Sequence, residues 1–293
     1  MSLHSSIIID SFIARAEALL TRLESMVPPT PPQTDLNGAI AFRWRRQAAK
    51  GWLQPIARLS QVRLEDLFHV ERQKTLIEQN TLQFLQGRPA NNVLLTGARG
   101  TGKSSLIRAC LNRYAEEGLR LIEIDRHDLA DLSDIVDLVA DRPERFIFYC
   151  DDLSFEQGDP GYKALKVALD GSAAAQAENV LIYATSNRRH LMPERMADNL
   201  ELSRDPAGDL HPGETVDEKI SLSDRFGLWL SFYPFSQDDY LAIVAHWLRA
   251  FGCESGHAEQ SRTEALQWAL QRGSRSGRTA WQFAKDWAGK HAD

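Results

Sequence analysis

Cysteine is scarce in this chain. Only Cys110, Cys150 and Cys253 occur, scattered, odd in number and without CxxC spacing. That excludes a disulfide-stapled scaffold and a structural zinc site as first readings, and points to reduced thiols in apolar surroundings. Long apolar runs are also missing, and none approaches the roughly 20 residues that a bilayer-spanning helix needs. Nor is there an excess of positive charge: 40 acidic residues outnumber 34 basic ones, for a net charge of −6. The balance argues against wholesale coating of nucleic acid or an anionic membrane, and leaves room for a local basic patch. The opening stretch MSLHSSIIIDSFIARAEALL has no basic leader region, and Asp10 and Glu17 interrupt its apolar residues. It reads as part of a mature cytoplasmic protein rather than as a signal peptide.

The 293 residues suffice for one to three domains, and 43% hydrophobic with 25% charged residues is an ordinary globular balance. Ile8, Phe12, Ala16, Leu19, Leu20 and Leu23 recur at helical spacing, which predicts an amphipathic helix over 7–26. Pro28, Pro29, Pro31 and Pro32 then forbid helix and enforce an extended linker. Next, AFRWRRQAAKGWLQPIARLS interleaves Arg43, Arg45, Arg46 and Lys50 with Trp44 and Trp52. Such a mixture can contact nucleic acid or an acidic partner. The preferred reading is an amphipathic helix that packs its tryptophans and solvates its arginines. Residues 1–62 are therefore expected to form an N-terminal helical segment with a Pro-rich linker.

From about residue 63 short apolar runs alternate with helical stretches: NVLLT (92–96), LRLIEI (119–124), RFIFYC (145–150), NVLIYAT (179–185) and LWLSFY (228–233). Runs apolar at nearly every position suit parallel strands buried on both faces, with helices as crossovers. After Pro234 the strands stop, and three helical stretches follow at about 237–251, 258–272 and 278–290. The pattern predicts an α/β core over 63–234 and a C-terminal helical lid over 235–293.

The most specific signal is GARGTGKSS, in which Gly97, Gly102, Lys103 and Ser104 fit GxxxxGK[ST]. Each residue type has a reason. The glycines let the backbone N–H groups of Gly97, Ala98, Arg99, Gly100, Thr101, Gly102 and Ser105 turn around phosphates. Lys103 neutralises phosphate oxygens, and the Ser104 hydroxyl ligates Mg²⁺. The loop follows a buried strand and opens a helix whose N-terminus faces the anion.

The second signal is the strand RFIFYC running into Asp151 and Asp152. A carboxylate there can reach the water shell of Mg²⁺, which assigns Asp151 to the metal. Asp152 is the candidate for polarising the attacking water, with Glu156, four residues on, as the alternative. NVLIYAT ends at Asn187, an amide at a strand tip where ligands of open α/β sheets gather. Arg225 precedes the fifth strand and Arg278 opens the last helix; a guanidinium at a transferred phosphoryl group stabilises its transition-state charge.

In this order the motifs resemble an AAA+ ATPase module. The stretches NNVLLTGARGTGKSSLIRA, FIFYCDDLSFEQGD, NVLIYATSNRRHLMPERMADN and EKISLSDRFGLWLSFYPFSQDDYL further resemble an uncharacterised bacterial family of predicted AAA+ P-loop ATPases, over roughly residues 40 to 285. The resemblance implies a five-stranded parallel sheet in the order 5-1-4-3-2, with Asn187 as sensor of the γ-phosphate. It implies that Arg225 is a finger donated to a neighbouring subunit of a homo-oligomer and Arg278 the sensor arginine of the lid. It makes His69 and Val70 contacts of the adenine base. ATP and Mg²⁺ are the implied ligands, and remodelling or loading of an unidentified protein or nucleic-acid target is the implied work. Asp152 stands where the family pattern has glutamate, so an ATP-gated switch with little hydrolysis stays open, as does a P-loop kinase.

Overall fold

The computed structural model describes residues 12–13, 15–22, 34–47, 50–156, 159–170, 177–188, 191, 203–204, 210–211, 222–253 and 258–291. Seven strands build its main sheet. They are β1 (Ala41–Gln47), β2 (Lys50–Pro55), β3 (Val93–Gly97), β4 (Leu119–Glu123), β5 (Arg145–Cys150), β6 (Val180–Ser186) and β7 (Leu228–Phe232). Their order is β2-β1-β4-β5-β6-β3-β7. Neighbours run parallel except β1 and β2, which form an antiparallel hairpin. The two-residue strands Ser203–Arg204 and Leu210–His211 pair separately.

This topology overturns the five-stranded, all-parallel sheet ordered 5-1-4-3-2, and it overturns the helix expected over 41–60. The cause is periodicity. Phe42 and Trp44 are buried while Arg43 and Arg45 are exposed, an alternation of two that belongs to a half-buried strand. Trp44 faces Leu53 across the hairpin, and Arg45 faces Trp52. The two tryptophans therefore lie on opposite faces, whereas a helix would have put them close to one stripe. Gly51 makes the packing possible, since a Cβ there would meet the Trp44 ring at 1.8 Å. The Trp44 indole also donates to Asp131 at 3.0 Å. By pairing Phe42 with Ile122, β1 extends the sheet beyond β4.

Strands β3, β5 and β6 are buried along nearly their whole length, as strands covered on both faces must be. One face packs Leu95, Ile147 and Tyr183 against helices α1 (Glu71–Leu85) and α2 (Lys103–Tyr114). The other packs Leu94, Phe146 and Phe148 against α3 (Leu132–Val139) and α4 (Pro160–Leu169). Helices α5 (Gln237–Ala250), α6 (Ala258–Gln271) and α7 (Gly277–His291) enclose a separate core around Tyr240, Val244, Phe283 and Trp287. A capping box starts α5: Ser236 Oγ accepts from the Asp239 N–H at 3.1 Å, and Asp239 Oδ2 from the Ser236 N–H at 3.2 Å.

Residues 12–13 and 15–22 are helical, with Phe12, Leu19 and Leu20 exposed. The remainder of the helix expected over 7–26 and most of the Pro-rich linker lie outside the described residues. Cys110 and Cys150 are free and buried. No helix among the described residues is long and apolar enough to cross a membrane.

Candidate functional site

Parallel register brings three strand tips side by side, because Thr96 pairs with Ser186 and Cys150 with Ala184. The loops that leave these tips therefore converge. The first, Gly97 to Ser105, wraps ahead of α2. Gly100 takes a left-handed φ of 75°, which costs a side-chain-bearing residue energy. It also touches the start of α7: its carbonyl accepts the Gly277 N–H at 2.9 Å, and a Cβ on it would meet Ser276 Oγ at 2.7 Å. Thr101 Oγ1 closes the loop by donating to the Ala98 carbonyl at 2.8 Å.

Lys103 is the first residue of α2 and only 6% exposed. Its ammonium donates to the carbonyls of Gly97 at 2.7 Å and Ala98 at 2.8 Å, and to Asn187 Oδ1 at 3.0 Å. Burial holds its pKa below the ordinary lysine value, with Asp151 and Asp152 opposing the shift. The cation is thus curled onto neutral oxygens at the mouth of its own loop, and an anion would be a stronger partner than any of them.

Beyond β5 lie the two acids. Ser104 Oγ donates to Asp151 Oδ1 at 2.8 Å, and Thr185 Oγ1 donates to the same oxygen at 2.6 Å. Partial burial pushes the Asp151 pKa up, but the hydroxyls of Thr185, Tyr149 and Ser104 and the charge of Arg108 outweigh it and hold the carboxyl below its ordinary value. Asp152 has a left-handed φ of 52°. Its N–H donates to Thr185 Oγ1 at 2.9 Å, and its Oδ1 accepts from Asn187 Nδ2 at 2.5 Å. The Arg99 guanidinium lies 3.7 Å from its other oxygen. Asn187 therefore bridges Lys103 and Asp152.

These groups face one cavity of about 1090 Å³, whose wall also includes Arg278. Phe68, Val70, Phe235, Trp247 and Trp281 give that wall an apolar, aromatic part. Other expected site residues lie elsewhere. Glu156 is exposed and is not among the described lining residues. His69 adopts a φ of 59° and turns its Nδ1 to Asp239 on α5 at 3.0 Å, leaving the wall to Val70. Arg225 bonds the Asp170 carboxylate at the end of α4 and does not line this cavity among the described residues. Thr185 and the aromatic residues of the wall were missed from sequence. A threonine in a buried run reads as strand, and tryptophans at helical spacing read as core.

The chain belongs to the family described as protein of unknown function DUF815. That family's model matches residues 37–291. No curated protein matches this DUF815 chain. Among solved structures it is similar to two variants of Thermotoga maritima RuvB, both with a TM-score of 0.52. One is 14% identical, covering 76% of this chain and 64% of RuvB, and the other 15% identical, covering 78% and 65%. The match thus spans less than two thirds of the RuvB chains. The FIGL-1 AAA domain in complex with ADP aligns with 19% identity over 79% of this chain and 74% of that one, at a TM-score of 0.48. At such identities the likeness to RuvB establishes an AAA+-like α/β fold and nothing finer.

Proposed function

We propose that this chain is a cytoplasmic, Mg²⁺-dependent AAA+ ATPase that works as a homo-oligomer. The observation that supports it most is the convergence of Lys103, Ser104, Asp151, Asp152 and Asn187 on one cavity wall. Ser104 and Asp151 offer a hydroxyl and an ionised carboxylate 2.8 Å apart. That donor set fits Mg²⁺, a hard cation that keeps several waters and needs only one or two protein ligands. When bound, the ion would neutralise charge on the β- and γ-phosphates.

The chain's own residues do the rest. Lys103 exchanges its carbonyl partners for phosphate oxygens, and the N–H groups from Gly97 to Ser105 line the anion. Asn187 orients the attacking water beside Asp152, which takes its proton. Arg278 brings positive charge from the lid, and a neighbouring subunit supplies Arg225. Val70 and the aromatic part of the wall receive the base. Movement of the lid (235–293) against the core (63–234) is transmitted through the Gly100–Gly277 contact and remodels or loads a protein or nucleic-acid target.

A second reading is an ATP-gated switch. It draws on Asp152, which is a methylene shorter than glutamate and already engaged with Asn187 and Arg99. Calorimetric titration with ATP, with and without Mg²⁺, combined with a steady-state phosphate-release assay decides between them. Binding with turnover supports the ATPase; tight binding with turnover far below about one per second supports the switch. Absence of binding overturns both, and transfer of phosphate to an acceptor other than water indicates a kinase.

A further inference from the structure

Thr185, the last residue of the run NVLIYAT, holds the Asp151 carboxylate and the Asp152 N–H on one hydroxyl. We infer that Thr185 is a positioning residue that sets Asp151 for the metal and Asp152 for the water through one shared oxygen. The inference rests on the Mg-nucleotide reading above.

A hydroxyl carries one donor and two acceptor positions. Thr185 Oγ1 accepts the Asp152 N–H at 2.9 Å, so its hydrogen is directed to Asp151 Oδ1, 2.6 Å away. The arrangement is over-determined. Thr185 is 1% exposed, lies one residue beyond the paired Cys150 and Ala184, and is β-branched, which restricts χ1 on a strand. Its own carbonyl accepts the Leu153 N–H at 2.7 Å, and the next hydroxyl, Ser186 Oγ, donates to the Leu153 carbonyl at 2.7 Å. The segment 151–153 is thereby held at both ends against β6.

The left-handed φ of 52° at Asp152 follows from this anchoring. An aspartate adopts that conformation at a cost, and such strain persists only where neighbours fix it. The turn brings the Asp152 side chain to Asn187 Nδ2 at 2.5 Å. Remove the hydroxyl and both residues lose a constraint, since the Asp152 N–H loses its acceptor and the Asp151 carboxylate loses a side-chain donor. The methyl group alone would fill the space without setting either carboxylate.

The full chain would be compared as wild type, Thr185→Val and Thr185→Ser. Calorimetry measures ATP affinity in Mg²⁺ and in EDTA, and NMR-detected hydrogen exchange follows the Asp152 amide without nucleotide. In Thr185→Val the gain in affinity brought by Mg²⁺ should fall about tenfold or more, while affinity in EDTA stays within about threefold. Exchange at Asp152 should quicken about tenfold or more. Thr185→Ser should restore both readouts to near wild type. A wild-type Mg²⁺ response in Thr185→Val, or equal losses in the two variants, overturns the role of the hydroxyl. If wild type binds no Mg-ATP, the nucleotide reading falls and this role falls with it. Unchanged exchange at Asp152 instead overturns the positioning alone and leaves the nucleotide reading standing.

Discussion

The hairpin β1–β2 and the tips of β3, β5 and β6 both gather charge at the sheet, but they dispose of it differently. On the hairpin two of the three arginines meet a carboxylate. Arg43 reaches Glu123 at 2.6 Å, Arg46 reaches Asp131 at 3.0 Å, and Arg45 donates to Gln54 at 2.9 Å. At the strand tips, among the described residues, Lys103 donates to carbonyl and amide oxygens, and Asp151 accepts from hydroxyl groups. The lesson is that a count of charges does not mark a ligand site. A site is marked by charges that the fold leaves with neutral partners around a cavity.

Arg225 tests this difference most severely. By geometry it belongs with the matched arginines, being held by Asp170 of its own chain, yet the proposed mechanism makes it a finger. Arg225→Ala should lower turnover by about 10³-fold while sparing ATP binding. Mixing it with Lys103→Ala should recover partial activity. No recovery, in a sample shown by native mass measurement to contain mixed oligomers, returns Arg225 to a structural role alongside the hairpin arginines.

Lys103→Ala comes next and sharpens the other side. Loss of the cation should weaken ATP binding by about 3 kcal/mol, on the order of a hundredfold, by calorimetry. Unchanged affinity would dissolve the site. The same lysine has a pH signature. Its pKa in the fold lies below the usual 10.5, so the unfolded chain binds more protons at alkaline pH. Stability of the free protein attributable to this group should rise with pH across that interval. An arriving phosphate favours the ammonium, so ATP binding there should take up protons, measurable by titration in buffers of different ionisation enthalpy.

The acids give the third comparison. Asp152→Asn should retain Mg-ATP binding and lose about a hundredfold in turnover, whereas Glu156→Gln, altering an exposed residue off the cavity wall, should change little. The reverse pattern would transfer the catalytic role to Glu156.

Smallest of all should be the effect of replacing Arg43, Arg45 and Arg46 together by alanine. Exposed pairs contribute about 0–1 kcal/mol each, so unfolding should shift modestly and ATP turnover hardly at all. Salt-sensitive DNA or RNA binding that disappears in this triple variant would show that the hairpin, too, is a ligand surface.

Local chemistry was legible from the sequence by itself. GARGTGKSS announces its turn because its glycines and lysine act within nine consecutive residues, and the runs over 145–150 and 228–233 announce strands because they are apolar at nearly every position. The three C-terminal helices follow from glycine punctuation and helical spacing in the same way. Tertiary structure alone decided which of the local options each ambiguous segment took. Trp44 and Trp52, eight positions apart, suit one helical stripe as well as two faces of a hairpin, and only Ile122, Gly51 and Leu53 select the hairpin. His69 was legible as a neighbour of the cavity but not as a partner of Asp239. Thr185 was legible as strand but not as the oxygen between Asp151 and Asp152, 34 and 33 positions away. The physical reason is shared by all three: hydrogen bonds and ring contacts act over a few ångströms, and the distances between these residues are set by strand register and helix packing rather than by the chain between them.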